Sequence, residues 1–387
     1  MPPLLELKHI SKSFPGVQAL DDVQFDICAG EVHALLGENG AGKSTLIKIA
    51  SGVYQADAGE IIVNGESVRF NSPNDAQRYG IATIYQELLL YPELTVAENI
   101  FMGHAPLNAL GTIRWTAMRD KAVELLASLN IHDLDVTRKV GTLTVGNRQR
   151  VEIAKALSLN ARILIMDEPT AALTEADVDR LFSIMNLLKE RGVGIIYISH
   201  RLQEVFQMGD RVTVLRDGRY ITTKAVAETD EDELINLMVG RTIDNLFPKL
   251  DAPIGQTVLE VQHLTRKPLT NDISFEIREG EIVGMAGLVG AGRSELAQVI
   301  FGFTPAQSGT IKIDGKAIKI KNPGQAMRNG IAYLPEDRGT QGLIRPMDVR
   351  ANTSLTVLRM LSRATFINRR QETRLALDTI RKLNIRS

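Results

Sequence analysis

GENGAGKST, at Gly37 to Thr45, is the stretch that decides the fold. It fills every position of the pattern G-x-x-x-x-G-K followed by Ser or Thr, and it comes directly after the apolar run Val32 to Leu36. Glycines at these positions let backbone N–H groups point inward at phosphates, and the N-terminus of a following helix adds its positive dipole end. The sequence therefore predicts a phosphate-binding loop between a buried strand and a helix that begins near Lys43.

The loop occurs a second time, 250 positions further along the chain. Residues Gly287 to Glu295 read GLVGAGRSE, and Arg293 stands where the first copy has Lys43. Chance does not keep many positions in one register, so the chain contains a duplicated domain. The following residues outside the loop recur at the same offset: Gly30 as Gly280, Gly52 as Gly302, Gly59 as Gly309, Gly65 as Gly315 and Pro73 as Pro323.

The duplication sets the expected organisation of the chain. We predict a first domain at residues 1–240, a linker at 241–256 and a second domain at 257–387, because the stretch from Gly240 to Gln256 contains two prolines and two glycines. Ser387 corresponds to about position 133 of the first copy, so we expect a truncated second copy of roughly half a domain. A half-domain that lacks core strands should expose apolar surface.

Bulk properties exclude several classes of protein. The chain is 44% hydrophobic and 24% charged, as in an ordinary soluble protein, and its net charge of −1 gives no general attraction to nucleic acid. Its single cysteine, Cys28, excludes an internal disulfide. No apolar run approaches the roughly 18 residues that cross a bilayer, and the N-terminus does not read as a secretion signal. We therefore expect a cytoplasmic protein.

Apolar runs separated by amphipathic helices predict an α/β sheet with helices packed on it. The clearest strands besides Val32 to Leu36 are Ile163 to Met166 and Ile195 to Ile198. A helix between these two begins at Thr174 with a capping pattern to Asp177 and ends at Gly192. A more helical insert at about 87–159 contains amphipathic stretches at 115–129 and 149–159.

Polar groups with suitable chemistry follow the predicted strands, at the edge where open α/β sheets form their sites. Lys43 can reach the outer phosphates of a nucleotide, and the Ser44 hydroxyl can bind Mg²⁺. Asp167 suits a place beside the Mg²⁺ ion, and Glu168 suits a general base for an attacking water. His200 follows the neighbouring strand, where it could contact a γ-phosphate. We predict Lys43, Glu168 and His200 as the catalytic residues.

Four elements now follow one another in the order typical of ABC ATPases. They are GENGAGKST, then Tyr85-Gln86-Glu87, then LTVGN at Leu143 to Asn147, and then ILIMDEPTAAL followed by His200. The chain resembles most closely the tandem-domain ATPases of carbohydrate importers of the ribose, galactose and xylose type. The resemblance covers the whole chain and implies a P-loop NTPase fold with a duplicated ABC-type nucleotide-binding domain, with ATP and Mg²⁺ as cofactors.

The resemblance also implies roles and partners. Phe14 would stack on adenine, Gln86 would link Mg²⁺ and water to the membrane partner, and Ala171 to Thr174 would face a paired ABC domain. The partners would be transmembrane permease subunits and, through them, a periplasmic or extracellular sugar-binding protein, so that the chain would lie on the cytoplasmic face of the plasma membrane. The Mg²⁺ site would comprise Ser44, Gln86 and Asp167. The nucleotide-binding residues would be Phe14, Gly37, Glu38, Asn39, Gly40, Ala41, Gly42, Lys43, Ser44, Thr45 and Gln86.

The chain departs from this family at its signature, which is usually LSGGQ or LSVGQ and here reads LTVGN. In ABC dimers each nucleotide lies between the phosphate loop of one domain and the signature of the other. One site would pair Lys43 with the signature of a second copy, and the other would pair Arg293 with LTVGN. We therefore expect one active and one degenerate site. Because a second signature would fall beyond Ser387, we expect this chain alone to turn over ATP far below the roughly 1 to 10³ per second usual for enzymes.

Two other functions fit parts of the sequence. A soluble tandem ABC protein that acts on ribosomes or DNA would usually have two intact phosphate loops and a long charged linker, and Arg293 and the short linker argue against it. A non-catalytic remnant is the other alternative, because the signature, acidic pair and histidine of the second copy would all lie beyond Ser387. A GTPase is disfavoured, since no N-K-x-D guanine motif occurs. The leading prediction is the energy-coupling ATPase of a sugar importer.

Overall fold

The computed structural model describes residues 2–85, 88–240, 252–287, 290–363 and 365–385. The chain divides into two compact units, Met1–Pro248 and Lys249–Ser387. Most of the proposed linker, residues 241–251, lies outside the described residues, as do Gln86 and Glu87.

The first unit alternates strands and helices. Its strands are β1 (Leu5–Phe14), β2 (Val17–Ile27), β3 (Val32–Leu36), β4 (Ala58–Val63), β5 (Glu66–Val68), β6 (Ile81–Ile84), β7 (Ile163–Asp167), β8 (Gly194–Ile198), β9 (Arg211–Arg216) and β10 (Arg219–Ala225). Its helices are α1 (Lys43–Ala50), α2 (Pro73–Arg78), α3 (Val96–Ile100), α4 (Trp115–Ser128), α5 (Val145–Ser158), α6 (Glu175–Glu190), α7 (Leu202–Met208) and α8 (Glu231–Val239), with 3₁₀ turns at Val140–Thr142 and Val226–Glu228.

A six-stranded sheet in the order β10-β9-β3-β8-β7-β6 forms the centre of this unit. β3 pairs in parallel with both β8 and β9, and β7 pairs in parallel with β8 and β6, whereas β10 pairs antiparallel with β9 at the edge. Every residue of β3 and β8 is buried. Strands covered on both faces are apolar along most of their length, which is why these runs do not alternate, and in β3 the buried His33 is the exception.

The two faces of the sheet belong to different hydrophobic cores. Leu35 and Ile165 pack with α1 and with a four-stranded antiparallel sheet, β2-β1-β4-β5. Leu164 and Tyr197 pack on the opposite face with α6 and with the helical insert, α3 to α5. A third cluster joins Leu36 to α7 and α8. The α/β prediction with a helical insert is confirmed.

Helix boundaries follow local signals. Thr174 precedes α6, accepts a hydrogen bond from the Asp177 N–H at 3.3 Å, and donates one to the Asp177 carboxylate at 2.8 Å. Gly192 follows the helix with φ of 82°, a conformation that glycine adopts without strain. The second amphipathic stretch of the insert was predicted from residue 149, but α5 begins at Val145. Thr144, a polar residue that sequence patterning did not place at a helix start, caps it by accepting from the Asn147 N–H at 3.3 Å.

The second unit contains six strands and five helices in the part of the chain described here. They are β11 (Thr257–Arg266), β12 (Thr270–Arg278), α9 (Arg293–Phe301), β13 (Ser308–Ile313), β14 (Lys316–Ile318), α10 (Pro323–Arg328), α11 (Val349–Ser354), α12 (Leu358–Leu361), β15 (Ser362–Arg363), β16 (Phe366–Ile367) and α13 (Arg369–Leu383), with a π turn at Arg338–Gly342 and a 3₁₀ turn at Leu355–Val357.

This unit repeats the beginning of the first one. Its sheet, β12-β11-β13-β14, has the same order as β2-β1-β4-β5. β13, β14, α9 and α10 each start 250 positions after β4, β5, α1 and α2. The duplication inferred from the sequence is therefore present in the fold.

The two units differ at the segments that correspond to β3 and β6. Residues 281–287 and 331–335 form no strand, although they match β3 and β6 in sequence position. Ile282 is 98% exposed, whereas Val32, its counterpart, is fully buried; Leu334 is 91% exposed, whereas its counterpart Ile84 is 1% exposed. In the first unit β7, β8 and β9 flank these positions, and the described part of the second unit forms no equivalent strands.

We predict that backbone amides at 281–287 and 331–335 exchange hydrogen faster than those of β3 and β6. An amide without a ladder partner has no local opening barrier. Hydrogen-exchange mass spectrometry on the full chain measures this. Equal protection from hydrogen exchange in 281–287 and β3, and in 331–335 and β6, would contradict the structure of the second unit.

Candidate functional site

The loop from Gly37 to Thr45 connects β3 to α1, as predicted. Gly37 has φ of 154° and Gly42 has φ of 98°. A Cβ at Gly37 would lie 2.4 Å from the Leu215 carbonyl oxygen, and one at Gly42 would lie 2.6 Å from the Leu20 side chain. Both positions therefore require glycine, for conformation and for space.

Lys43 is the first residue of α1 and its ammonium lies across the loop. Nζ donates to the carbonyl oxygens of Gly37, at 2.6 Å, and Glu38, at 3.1 Å. Burial lowers the pKa of Lys43, while the charges of Glu168 and Asp167 act in the opposite direction. The loop thus contains a partly buried cation whose partners are neutral carbonyls, and an anionic phosphate would be a stronger partner.

The remaining loop residues differ in exposure. Ala41 is buried at 3% exposure and packs in the core under the loop. Ser44 is exposed and Thr45 is half-buried. Glu38, Asn39 and Gly40 form the exposed tip. The Ser44 hydroxyl is therefore accessible to a ligand, as its predicted role requires.

Asp167 and Glu168 lie at the carboxyl end of β7. Burial, followed by the charge of Glu168, raises the pKa of Asp167, and Lys43 and Lys48 oppose the rise. Glu168 adopts φ of 47°, in the left-handed region that non-glycine residues rarely occupy, and its N–H donates to the Ile198 carbonyl of β8 at 3.0 Å. Strained residues that the surroundings hold in place are typical of functional sites.

His200 lies beside Glu168, although 32 positions separate them in the sequence. Its Nδ1 is 3.4 Å from Glu168 Oε1. The imidazole side chain is 64% exposed and the glutamate side chain is 23% exposed. The structure therefore brings together four of the predicted groups, since the charges of Asp167 and Glu168 also act on Lys43.

Phe14 ends β1 and is 37% exposed. Its ring meets Tyr54 edge to face, with centroids 5.4 Å apart, and Lys12 Nζ lies 5.7 Å from its centroid. An exposed aromatic ring held in this way can stack on a base. Gln86, the other predicted nucleotide-binding residue that is not in the loop, lies outside the described residues.

The LTVGN segment forms the N-terminus of α5. Gly146 packs so closely on α6 that an added Cβ would lie 2.5 Å from an Asp177 carboxylate oxygen. Arg150 donates through both terminal nitrogens to Asp133, at 2.7 and 2.8 Å, and it also donates to the Asn147 side-chain oxygen. This bidentate ion pair between Arg150 and Asp133 lowers the pKa of Asp133 to about 2. The sequence did not predict this ion pair, because nothing in the spacing of residues 133 and 150 indicates a contact.

The second loop begins α9 with Arg293. Gly290 and Gly292 have φ of 85° and 87°, close to the 89° and 98° of Gly40 and Gly42 in the first loop. Leu288 and Val289 lie outside the described residues. Gly290 and Gly292 therefore repeat the backbone conformation of the first loop, whereas Gly287 lacks the positive φ of Gly37, and Arg293 takes the place of Lys43.

Comparison with known proteins defines the class. The family model described as "ABC transporter" matches residues 20–171 and 270–386. The chain belongs to the ABC transporter family. Two segments match one model, which agrees with the duplication.

Curated relatives cover nearly the whole chain. It is 48% identical to "Ribose import ATP-binding protein RbsA" of Geobacillus kaustophilus, over 99% of this chain and 78% of that protein. It is 52% identical to "Putative ribose/galactose/methyl galactoside import ATP-binding protein 2" of Burkholderia lata, over 92% of this chain and 67% of that protein.

Solved structures agree with this placement. An ATP-binding cassette of an ABC transporter in its ADP conformation is 27% identical, with a TM-score of 0.54, over 62% of this chain and 100% of that chain. An ABC transporter component from Clostridium perfringens, cbiO1, is 25% identical, with a TM-score of 0.53, over 62% of this chain and 97% of that chain.

We predict that Asp167→Asn raises the free energy of unfolding at neutral pH and removes Mg²⁺-dependent nucleotide binding. The pKa of Asp167 is raised in the folded state, so the folded protein binds a proton at the Asp167 carboxylate more tightly than the unfolded chain does. Its contribution to stability therefore falls as pH rises from the ordinary pKa through the raised one, and at neutral pH a neutral amide is favoured. Urea denaturation measures the change.

Asp133→Asn is the matched control. The pKa of Asp133 is lowered, so its ionised form stabilises the fold above its ordinary pKa, and this contribution is lost as pH falls towards about 2. The variant should lower the free energy of unfolding at neutral pH. Destabilisation of equal size by both substitutions would show that the charge at Asp167 is not unfavourable.

Proposed function

We propose that this chain is the ATP-hydrolysing, energy-coupling subunit of an ABC importer for ribose, galactose or a related monosaccharide. The observation that supports this best is the meeting of Glu168 and His200, 3.4 Å apart, at the edge of the sheet that also holds Lys43. Two relatives are named as ribose import ATP-binding proteins and one as a putative ribose/galactose/methyl galactoside import ATP-binding protein, and these names support the class of substrate.

In this proposal the phosphate chain of ATP lies in the loop. The backbone N–H groups at the start of α1 point to it, and Lys43 exchanges its carbonyl partners for the β- and γ-phosphate oxygens. Phe14 stacks on the adenine ring. Glu38, Asn39, Gly40, Ala41 and Thr45 form the rest of the cradle.

The residues present fit a Mg²⁺ ion. Ser44 and Asp167 offer hard oxygen ligands, and the raised pKa of Asp167 marks a half-buried carboxylate that a cation would stabilise. In the described part of the chain no group of three or more His, Cys, Asp and Glu residues could hold a metal by itself, as expected where phosphates and water supply most of the ligands. Gln86 is the third proposed ligand. The bound ion would neutralise charge on the phosphates.

Glu168 serves as the general base and His200 as its partner. Glu168 follows the carboxyl end of β7, at the sheet edge where its carboxylate could accept a proton from a water that attacks the γ-phosphate. The imidazole at 3.4 Å contacts the same carboxylate and can donate to the γ-phosphate. Removal of the proton by Glu168 and stabilisation of the phosphate charge by Lys43 and His200 together promote hydrolysis.

The two phosphate loops would contribute unequally. Lys43 supplies a compact ammonium and Arg293 a planar guanidinium, so the two are not interchangeable at a phosphate. We assign the competent loop to a first domain at residues 1–240 and the degenerate one to a second domain at 257–387, joined by a linker at 241–256.

Import requires partners that cross the membrane. No helix in the described part of this chain is long and apolar enough to do so. Transmembrane permease subunits would provide the path for the sugar, an external sugar-binding protein would deliver it, and pairing of ABC domains within or between chains would complete each nucleotide site. The chain would bind the cytoplasmic face of the membrane through the permease.

We predict that Lys43→Ala weakens binding of ATP with Mg²⁺ roughly 10- to 100-fold, because hydrogen bonds to charged groups contribute about 1.5–3 kcal/mol. Arg293→Ala, the matched control in the other loop, should change it less than about threefold. Equilibrium titration with a fluorescent ATP analogue compares them. A larger loss of affinity from Arg293→Ala than from Lys43→Ala would show that the competent site lies in the second unit, against the proposal.

We predict that Glu168→Gln retains ATP binding and lowers the hydrolysis rate by roughly 10²- to 10⁴-fold, because the amide keeps the shape of the side chain but cannot accept the proton. Phosphate release is measured under conditions where the parent chain is active. A variant as fast as its parent would show that Glu168 is not the base.

A further inference from the structure

Glu204 is a buried carboxylate that the mechanism above leaves without a role. It lies on α7 and is only 6% exposed. Three hydroxyl groups donate to its Oε2: those of Thr170 at 2.9 Å, Tyr197 at 2.7 Å and Ser199 at 2.8 Å. A buried charge is costly unless donors surround it, and this one is surrounded by donors from three separate positions.

One set of contacts holds the chain on both sides of His200. Ser199, directly before the histidine, donates its hydroxyl to Glu204 and accepts the Arg201 N–H at 3.0 Å. The Arg201 guanidinium lies 3.4 Å from Glu204 Oε1. The backbone that presents the imidazole is therefore fixed before and after the residue.

The other contact holds the chain after Glu168. Thr170 follows the glutamate by two positions, is 2% exposed, and directs its hydroxyl at Glu204. Glu168 itself has a left-handed backbone conformation, which is retained only where the surroundings enforce it. The hydrogen bond from Thr170 to Glu204, two residues after Glu168, can enforce this backbone conformation.

Tyr197, next to the last residue of β8, is another of these donors. It is fully buried, and burial together with the hydrogen bond to Glu204 raises the pKa of its phenol, which therefore stays protonated and remains a donor. Glu204 thus binds the sheet, the segment after β7 and the segment after β8 through one oxygen atom.

We infer that Glu204 is a positioning residue for ATP hydrolysis, whose carboxylate fixes the segment after Glu168 against the end of β8 and so keeps the Glu168 carboxylate in contact with the His200 imidazole. The inference rests on the function proposed above. Glu204 does not touch ATP in this account and acts only through the other two side chains.

The first test is the effect of Glu204→Gln on steady-state hydrolysis by the full chain. The amide keeps the size of the side chain but loses the charge and places an NH₂ group among three hydroxyl donors. We expect kcat to fall roughly 10- to 100-fold, as for a small misplacement of reacting groups, and KM for ATP to stay within about twofold. An unchanged kcat would overturn the inference.

Glu31→Gln is the matched control, because Glu31 is also a buried acid, at 8% exposure, and pairs with Arg211 at the opposite end of β3. Its kcat should equal that of the parent even where its melting temperature falls. A general loss of packing would lower kcat in both variants, and that result would also overturn the inference.

The second test needs no hydrolysis. In the full chain labelled at histidine Cε1, Glu168→Gln should shift the His200 resonance, and in the Glu204→Gln background the same change should shift it far less. Equal shifts in both backgrounds would refute a positioning role. A parent chain whose hydrolysis Glu168→Gln does not reduce would instead count against the proposed function, and the resonance test would still decide the role of Glu204.

Discussion

Parallel pairing of β3, β8 and β7 determines where every proposed catalytic group lies. Leu35 pairs with Ile198, and Ile198 in turn pairs with Asp167, so the three strands end at one edge of the sheet. The loop with Lys43, the acidic pair and His200 follow these ends and therefore meet. The register is fixed because both faces of the strands are buried, and a slip of one residue would exchange the two cores.

The site contains groups that reduce the stability of the fold. Burial disfavours the charged forms of Lys43 and Asp167, and Glu168 has a strained backbone. Such groups persist where surrounding contacts outweigh them, and here the surroundings are the sheet and the hydrogen bonds around Glu204. The charges of Lys43 and Asp167 reduce stability because burial disfavours them. The same charges would bind a nucleotide and its cation, and this binding would relieve the unfavourable burial.

Much of this fold could be predicted from sequence, because its signals are local. β3 matches the predicted strand at both ends, α1 begins at Lys43, and Thr174 caps α6. The duplication could also be predicted, since glycines recur where turns require them. Asp167, Glu168 and His200 follow strand ends, where the pattern of apolar runs places them, whereas Phe14 is implied only by the resemblance to ABC ATPases.

Other contacts could not be predicted, because they join residues whose spacing in the sequence does not indicate that they meet. The contact of Gly146 with Asp177 depends on how two helices pack, and the hydrogen bonds of Glu204 depend on which hydroxyls face its carboxylate in the folded chain. The failure of residues 281–287 to form a strand has a similar cause. A buried parallel strand needs neighbours, and its own apolar sequence is the same with or without them.

The central claim is that two similar loops give one competent nucleotide site, because ammonium and guanidinium groups differ at a phosphate. The stoichiometry of ATP binding tests it most directly, with Mg²⁺ present and Glu168→Gln in place to prevent hydrolysis. Calorimetric titration of the full chain should give one tightly bound ATP per chain. Two equivalent tight sites per chain would contradict the account.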